Sequence, residues 1–294
     1  MDQLALFRPP DLVLAELHLD LRRLDLKRAH GCLTEYQRSW NGVGLTWEPS
    51  FLDFLTLNGL PKDPEDGWSL WLKLQESAFW PNVPLSVRLG FQTHYFQMIL
   101  DLAGDERKVT SENGISTGYL HFLAGRLDSG LALLQQEATE SVDDPLPHLY
   151  LGNTQYLLND TWEARASYRD ALLKALKRDK FAEILDVEVR AFLAEVEASE
   201  WAVIEGCIKG VLPVAHVRSA GSVERFLERH TWFVTTDSCP LPSPIQQFYA
   251  CLVLSESRPV VPEDSLMKAR LHMKFLNSRL HKRHMEMLET KPRD

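Results

Sequence analysis

Cysteine is scarce in this 294-residue chain: Cys32, Cys207, Cys239 and Cys251 lie far apart, with no C-x-x-C pair and no metal-ligand rhythm. A disulfide framework needs denser cysteine in a smaller secreted domain, so the four are expected as reduced thiols. Glycine (15) and proline (16) are too few and too scattered for a collagen-like or disordered chain. No stretch approaches the ~20 apolar residues of a membrane span. Where a signal peptide would place its apolar run stand Asp2 and then Arg8-Pro9-Pro10. The expectation is a cytoplasmic protein with no membrane partner. Catalytic signatures are missing too: the sequence has no Gly-rich phosphate loop, G-x-S-x-G elbow or H-E-x-x-H helix. No catalytic residue, cofactor or metal ligand is therefore assigned.

What is present is a 45% hydrophobic composition, enough to bury the core of one or two domains. The net charge of −9 argues against general attraction to nucleic acid or an anionic membrane. It is unevenly spread. From Leu266 to Asp294 eight Lys or Arg stand against three acids, so this segment carries +5 and the remainder −14.

Helical signals dominate. Asp11 opens a leucine-rich segment to about Trp40, with Leu14, Leu17, Leu21 and Leu24 at helical spacing. Leu17-x-Leu19-x-Leu21 also alternates like a strand, but leucine's preference and the segment's length favour helix. Five of the eight tryptophans fall between residues 40 and 80, a region of short helices where Pro49 suits a helix start, Asn58-Gly59 a stop, and Pro81 and Pro84 a break. Filling a core between short helices is the plain reading; a stacking platform for a sugar or base is the sharper one. Helices are expected at 85–103, 181–198, 201–211, 222–230 and 244–255, and one from Glu263 to about Glu289. His230-Thr-Trp-Phe-Val-Thr-Thr236 is the one candidate strand. Four segments result: a Trp/Pro-rich helical region at 1–108, paired hairpins at 109–180, a divergent helical region at 181–258 and a basic helix at 259–294.

The paired hairpins emerge from a search for internal periods. Leu151-Gly152, Tyr156, Ala164, Tyr168 and Ala171 mark two antiparallel helices joined at Asn159-Asp160. A small residue lets the helices approach, and a bulky one fills the next gap. Shifted by 34 residues a weaker copy appears: Gly118 for Gly152, Phe122 for Tyr156, Gly125 for Asn159, Gly130 for Ala164 and Leu134 for Tyr168. This pattern resembles the tetratricopeptide-repeat family over about Glu112 to Arg178. The resemblance implies an all-α fold, a right-handed TPR-like α-α superhelix with divergent flanking helices. Two hairpins are fewer than the ~3 such arrays usually need, so the flanking helices are expected to cap the stack or to form divergent repeats.

The resemblance also implies a function: a non-catalytic scaffold or adaptor holding a protein or peptide in a concave groove. That groove would be lined by the first helix of each hairpin, here by Ile115, Tyr119, Phe122 and Leu123, and by Leu149, Asn153, Tyr156 and Leu157. Asn153 stands where such repeats place an asparagine that hydrogen-bonds the backbone of an extended peptide. None of the eight is basic, unlike the versions that hold a terminal carboxylate. The groove should prefer an apolar or aromatic segment, or a helix of the chain itself.

Other residues read more plainly. Asp143-Asp144-Pro145 is a turn and helix start. His121 and His148 should pack within their hairpins, while His272, His281 and His284 decorate a basic helix as exposed, partly charged side chains. Lys268, Arg270, Lys274, Arg279, Lys282 and Arg283 suit phosphate contacts, but Leu266, Ala269, Met273, Leu276 and Leu280 form a seam wanting another helix. That seam packs on the acidic body or pairs two copies in a homodimer. Two alternatives stay open beside the scaffold: an enzyme or small-molecule binder using the aromatic-rich N-terminal region, and a nucleic-acid accessory protein acting through the basic helix.

Overall fold

The computed structural model describes residues 8–104, 116–141, 143–196, 199–233, 241–258 and 260–290, and among these every regular element is a helix. The fold is all-α. The chain divides into two compact units, Met1–Glu137 and Ala138–Asp294. The division falls inside the helix Leu127–Glu140, so it separates the two hairpins that the repeat pattern treats as one block.

In the first unit the leucine-rich segment forms two helices, not one: α1 (Pro10–Arg22) and α2 (Leu26–Trp40). Leu24 turns left-handed (φ 59°), and the Asp25 carboxylate caps α2 by accepting from the Arg28 amide. Leu17 and Leu21, four apart, are buried while Leu19 is exposed, which is helical and not strand periodicity. There follow α3 (Glu48–Asn58), α4 (Pro64–Glu76), a 3-10 turn at Trp80–Asn82, α5 (Leu85–Ala103), α6 (Thr117–Leu123) and most of α7 (Leu127–Glu140).

The core of this unit is aromatic. The Phe51 ring centroid lies 4.9 Å from Phe91, and Trp71 meets Phe96 at 5.0 Å and Trp80 at 5.7 Å, all edge-on. Such pairs add ~0.5–1.5 kcal/mol each to their burial. Trp47, Trp71 and Trp80 are at most 8% exposed, so their faces are spent on neighbours and offer no platform for a sugar or base.

The second unit holds α8 (Leu146–Leu157), α9 (Thr161–Leu173), a 3-10 segment at Arg178–Glu183, α10 (Val187–Glu195), α11 (Ala202–Lys209), α12 (Ala220–Arg229), α13 (Pro244–Glu256), α14 (Glu263–Leu276) and α15 (Ser278–Thr290). Several helix starts are written in the sequence: Asp160, Asp186 and Ser219 accept first-turn amides, and Ser243 with Gln246 forms a capping box. The centre is α13, apolar nearly all round, with α11 and α14 packed on it.

Three expectations are corrected here. Helix does not begin at Phe181: Arg178–Glu183 is a 3-10 segment, Ile184 is extended, and α10 starts at Val187. Within the candidate strand, Thr231–Phe233 is a 3-10 turn, and residues 234–236 lie outside the described residues. The terminal helix is broken at Asn277, whose side chain caps the new helix by accepting from the Leu280 amide at 3.1 Å. Ala269, Met273 and Leu280 of its seam are buried within the unit, α14 against α13 and α15 against α11. The seam thus finds its cover in its own chain. Among the described residues no helix is long and apolar enough to cross a membrane.

Candidate functional site

The two hairpins share more than a sequence period. In the second, a Cβ on Gly152 would stand 2.6 Å from Tyr168 Cε1 and 3.1 Å from the Ala164 carbonyl oxygen. In the first, a Cβ on Gly118 would stand 2.6 Å from Leu134 Cγ. The turns repeat as well. Gly125 donates to the Phe122 carbonyl and Arg126 to His121; 34 residues on, Asn159 donates to Tyr156 and Asp160 to Gln155. Gly125 (φ 72°) and Asn159 (φ 64°) both take the left-handed conformation that closes a helix this way. Helices α6 with α7, and α8 with α9, thus each meet closely at a glycine and turn at the places the sequence marks.

The structure assigns the eight groove candidates different surroundings. Ile115 lies outside the described residues. Leu123, Leu149 and Asn153 are buried, contrary to the exposure expected of them; Tyr119, Phe122 and Tyr156 are half-buried, and only Leu157, at 47%, is open. Tyr119, Phe122 and Leu123 belong to the first unit. There Tyr119 and Phe122 stack at 6.0 Å, Tyr119 meets Trp68 at 6.2 Å, and both pack on the aromatic core that includes Leu123. The remaining four belong to the second unit.

Asn153 explains its own burial. Its Nδ2 donates to the Glu183 carbonyl at 2.9 Å, and its Oδ1 accepts from the Leu185 amide at 3.1 Å. The side chain thus spans one residue of extended backbone, at the fully buried Ile184. Tyr168, whose phenol burial holds neutral well above its ordinary pKa, donates to the same Oδ1 at 2.8 Å. Beyond the clasp, Arg165 Nε donates to the buried Asp186 carboxylate at 2.8 Å, and Asp186 caps α10. The backbone groups that Asn153 holds belong to the chain's own Glu183 and Leu185.

The histidines divide. His121 and His148 are half-buried, and burial lowers the pKa of both, more than the nearby Arg126 and Lys174 do. His284 corrects the picture of exposed side chains on a basic helix: it is fully buried, its Nε2 2.9 Å from Ser255 Oγ and its Nδ1 3.7 Å from Glu256 Oε1. A hydroxyl, an imidazole and a carboxylate in that order resemble a nucleophile–base pair with its orienting acid. Ser255 is fully buried as well, so α13 and α15 would have to part before a substrate reached the hydroxyl. In this fold the trio ties α15 to the end of α13. Nothing but the i+4 spacing from Leu280 marks His284 as an inward position in the sequence.

Arg169 is another interior polar residue that the pattern does not reveal, donating to the Pro213 carbonyl at 2.9 Å with its guanidinium 5.4 Å from the Tyr249 ring centre. The basic helix is partly neutralised: Arg279 and Arg283 reach the buried Glu205 at 3.1 and 3.5 Å. Among the described residues no group of three His, Cys, Asp or Glu side chains is placed to hold a metal. Cys32, Cys207 and Cys251 are free thiols, and Cys239 lies outside the described residues. Comparison with known proteins finds no match among protein-family models, curated proteins or solved structures.

Proposed function

We propose that this chain is a non-catalytic, cytoplasmic protein-interaction scaffold of TPR-like character, its hairpins part of a right-handed α-α superhelix, binding a protein or peptide partner. The observation that carries the reading is the Asn153 clasp: one amide, fixed by Tyr168, holds both backbone groups that flank Ile184. Extended-peptide recognition by main-chain hydrogen bonds works through the same donors and acceptors. Since residues 183–185 occupy this clasp, an external partner meets what α8 leaves open, at Tyr156 and Leu157. The duplicated hairpin contacts support the repeat character, and the buried tryptophans favour a scaffold over a small-molecule pocket.

The test compares proteins captured from native extract by the wild-type chain and by Tyr156→Ala/Leu157→Ala, with melting temperature and helical circular dichroism measured alongside. A defined partner lost only in the folded double variant supports the reading. An identical set captured by both proteins removes α8 as the functional face.

A further inference from the structure

The helical pair α14 and α15 carries a second surface, on the side its seam does not use. Met267, Leu271 and Phe275 stand four residues apart along α14 and are 57, 61 and 86% exposed. One exposed leucine is ordinary, but three large apolar side chains in a row about 12 Å long mark an interaction surface. Beside the row lies a cleft of about 650 Å³, whose apolar lining includes Leu266 and Val261 and, from α15, Met285. Two methionines in such a lining allow it to repack around differently shaped side chains.

The rim is cationic. Arg258, Arg270, Lys274 and His281 line the cleft with one acid, Glu263. Among the described residues no carboxylate lies within ion-pair distance of the two arginines and the lysine, in contrast to Arg279 and Arg283 on Glu205. Arg270 Nε is buried without an acceptor among those residues. Burial and the neighbouring charge of Arg258 both press the Arg270 pKa down; burial, Lys274 and Arg270 do the same to His281. Arg258, Arg270 and Lys274 thus share a positive field that Glu263 alone offsets in the lining, while His281 is held toward its neutral form.

We infer that the α14–α15 cleft is the docking site for an acidic amphipathic helix of a partner protein. Its apolar residues, recurring every three or four positions, seat on Met267, Leu271 and Phe275, and its carboxylates meet Arg258, Arg270 and Lys274. Charge complementarity selects the acidic flanks, and the straight row of apolar side chains beside a concave lining selects a helix over a flat lipid surface. This surface is separate from the α8 face, so the two readings stand or fall independently.

The experiment titrates the full chain into a fluorescent helix-forming peptide of about 18 residues, with leucines at spacings of three and four and glutamates beside them. Binding is expected, weakening about tenfold or more between about 50 and about 300 mM salt. Leu271→Asp should weaken it at least about tenfold without changing the melting temperature, since the side chain is exposed. Arg258→Glu/Lys274→Glu should lose this peptide and gain its lysine-flanked counterpart. The proposal is overturned if wild type binds the lysine-flanked peptide equally, or a peptide of the same composition with its leucines dispersed. It is overturned as well if Leu271→Asp binds normally. If the glutamate peptide fails to bind, loss in Leu271→Asp of self-association, or of sedimentation with phosphatidylserine vesicles, reassigns the cleft to a second copy or to a membrane.

Discussion

Replacing Gly152 by alanine sets two effects of opposite sign against each other. In the interior of α8 the change should gain ~1 kcal/mol of helix propensity. Against that, the new methyl would stand 2.6 Å from Tyr168 Cε1, 2.7 Å from Cδ1 and 3.1 Å from the Ala164 carbonyl oxygen. None of these can retreat freely. The Tyr168 ring is fully buried and tethered to Asn153, and the Ala164 oxygen is backbone inside α9. Overpacking of this kind typically costs ~1–3 kcal/mol, and more where backbone must move, so the net expectation is a loss of about 1–2 kcal/mol.

For a unit of this size that loss lowers the melting temperature by about 3–6 °C, read by circular dichroism. Gly31→Ala is the control: it lies inside α2 with no heavy atom within 4 Å of its virtual Cβ, so it should stabilise by up to ~1 kcal/mol. Tyr168→Leu removes the ring, and the double variant with Gly152→Ala should lose about 1 kcal/mol less than the sum of the two single changes. If Gly152→Ala stabilises as Gly31→Ala does, the close approach of α8 and α9 is not what holds the hairpin.

Two further outcomes test the interior. Burial holds the His148 pKa below the ordinary histidine value of ~6.5, with His272 and His281 shifted the same way. Above that value folded and unfolded chains are both neutral there; as pH falls through it, the unfolded chain takes up protons that the fold refuses. Urea unfolding should therefore show lower stability at about pH 5.5 than at about pH 7.5, and His148→Gln should reduce the difference, His272 and His281 keeping the rest; an unchanged difference refutes the assignment to His148. Burial pushes Cys207 and Cys251 up to about 12, so both should resist iodoacetamide in the native protein and react after denaturation. Peptide mapping that finds native Cys207 alkylated would contradict its burial.

The hairpins were legible because their determinants are local. Gly152, Ala164 and Tyr168 lie within one 34-residue period, and the turn at Asn159-Asp160 is encoded by residues that tolerate or cap it. The aromatic core was legible as well, since five tryptophans among prolines have few alternatives to mutual packing. What covers a helix face was not. Register assigns Asn153 to the inner side of α8, but its occupant arrives from 30 residues downstream, where no repeat signal remains. The break in the terminal helix did leave a trace, because Asn277-Ser278 is a capping sequence. His284 is masked by its basic neighbours Lys282 and Arg283, although its spacing of four from Leu280 puts both on one inward face.

That displacement bears on where partners can act. A clasp of three hydrogen bonds around a buried asparagine stabilises the hairpin only while its occupant stays, and an occupant supplied by the same chain is present at very high effective concentration. A free peptide competing for Asn153 would have to replace the Glu183 and Leu185 bonds and also the buried side chain of Ile184. The face that most resembles a peptide site is therefore the one least available to an outside ligand. Among the described residues, Leu157 on α8 and the row Met267, Leu271 and Phe275 on α14 carry no such internal occupant and are exposed. On the proposed function, recognition therefore falls to the apolar surfaces that these helices leave uncovered and not to the Asn153 clasp.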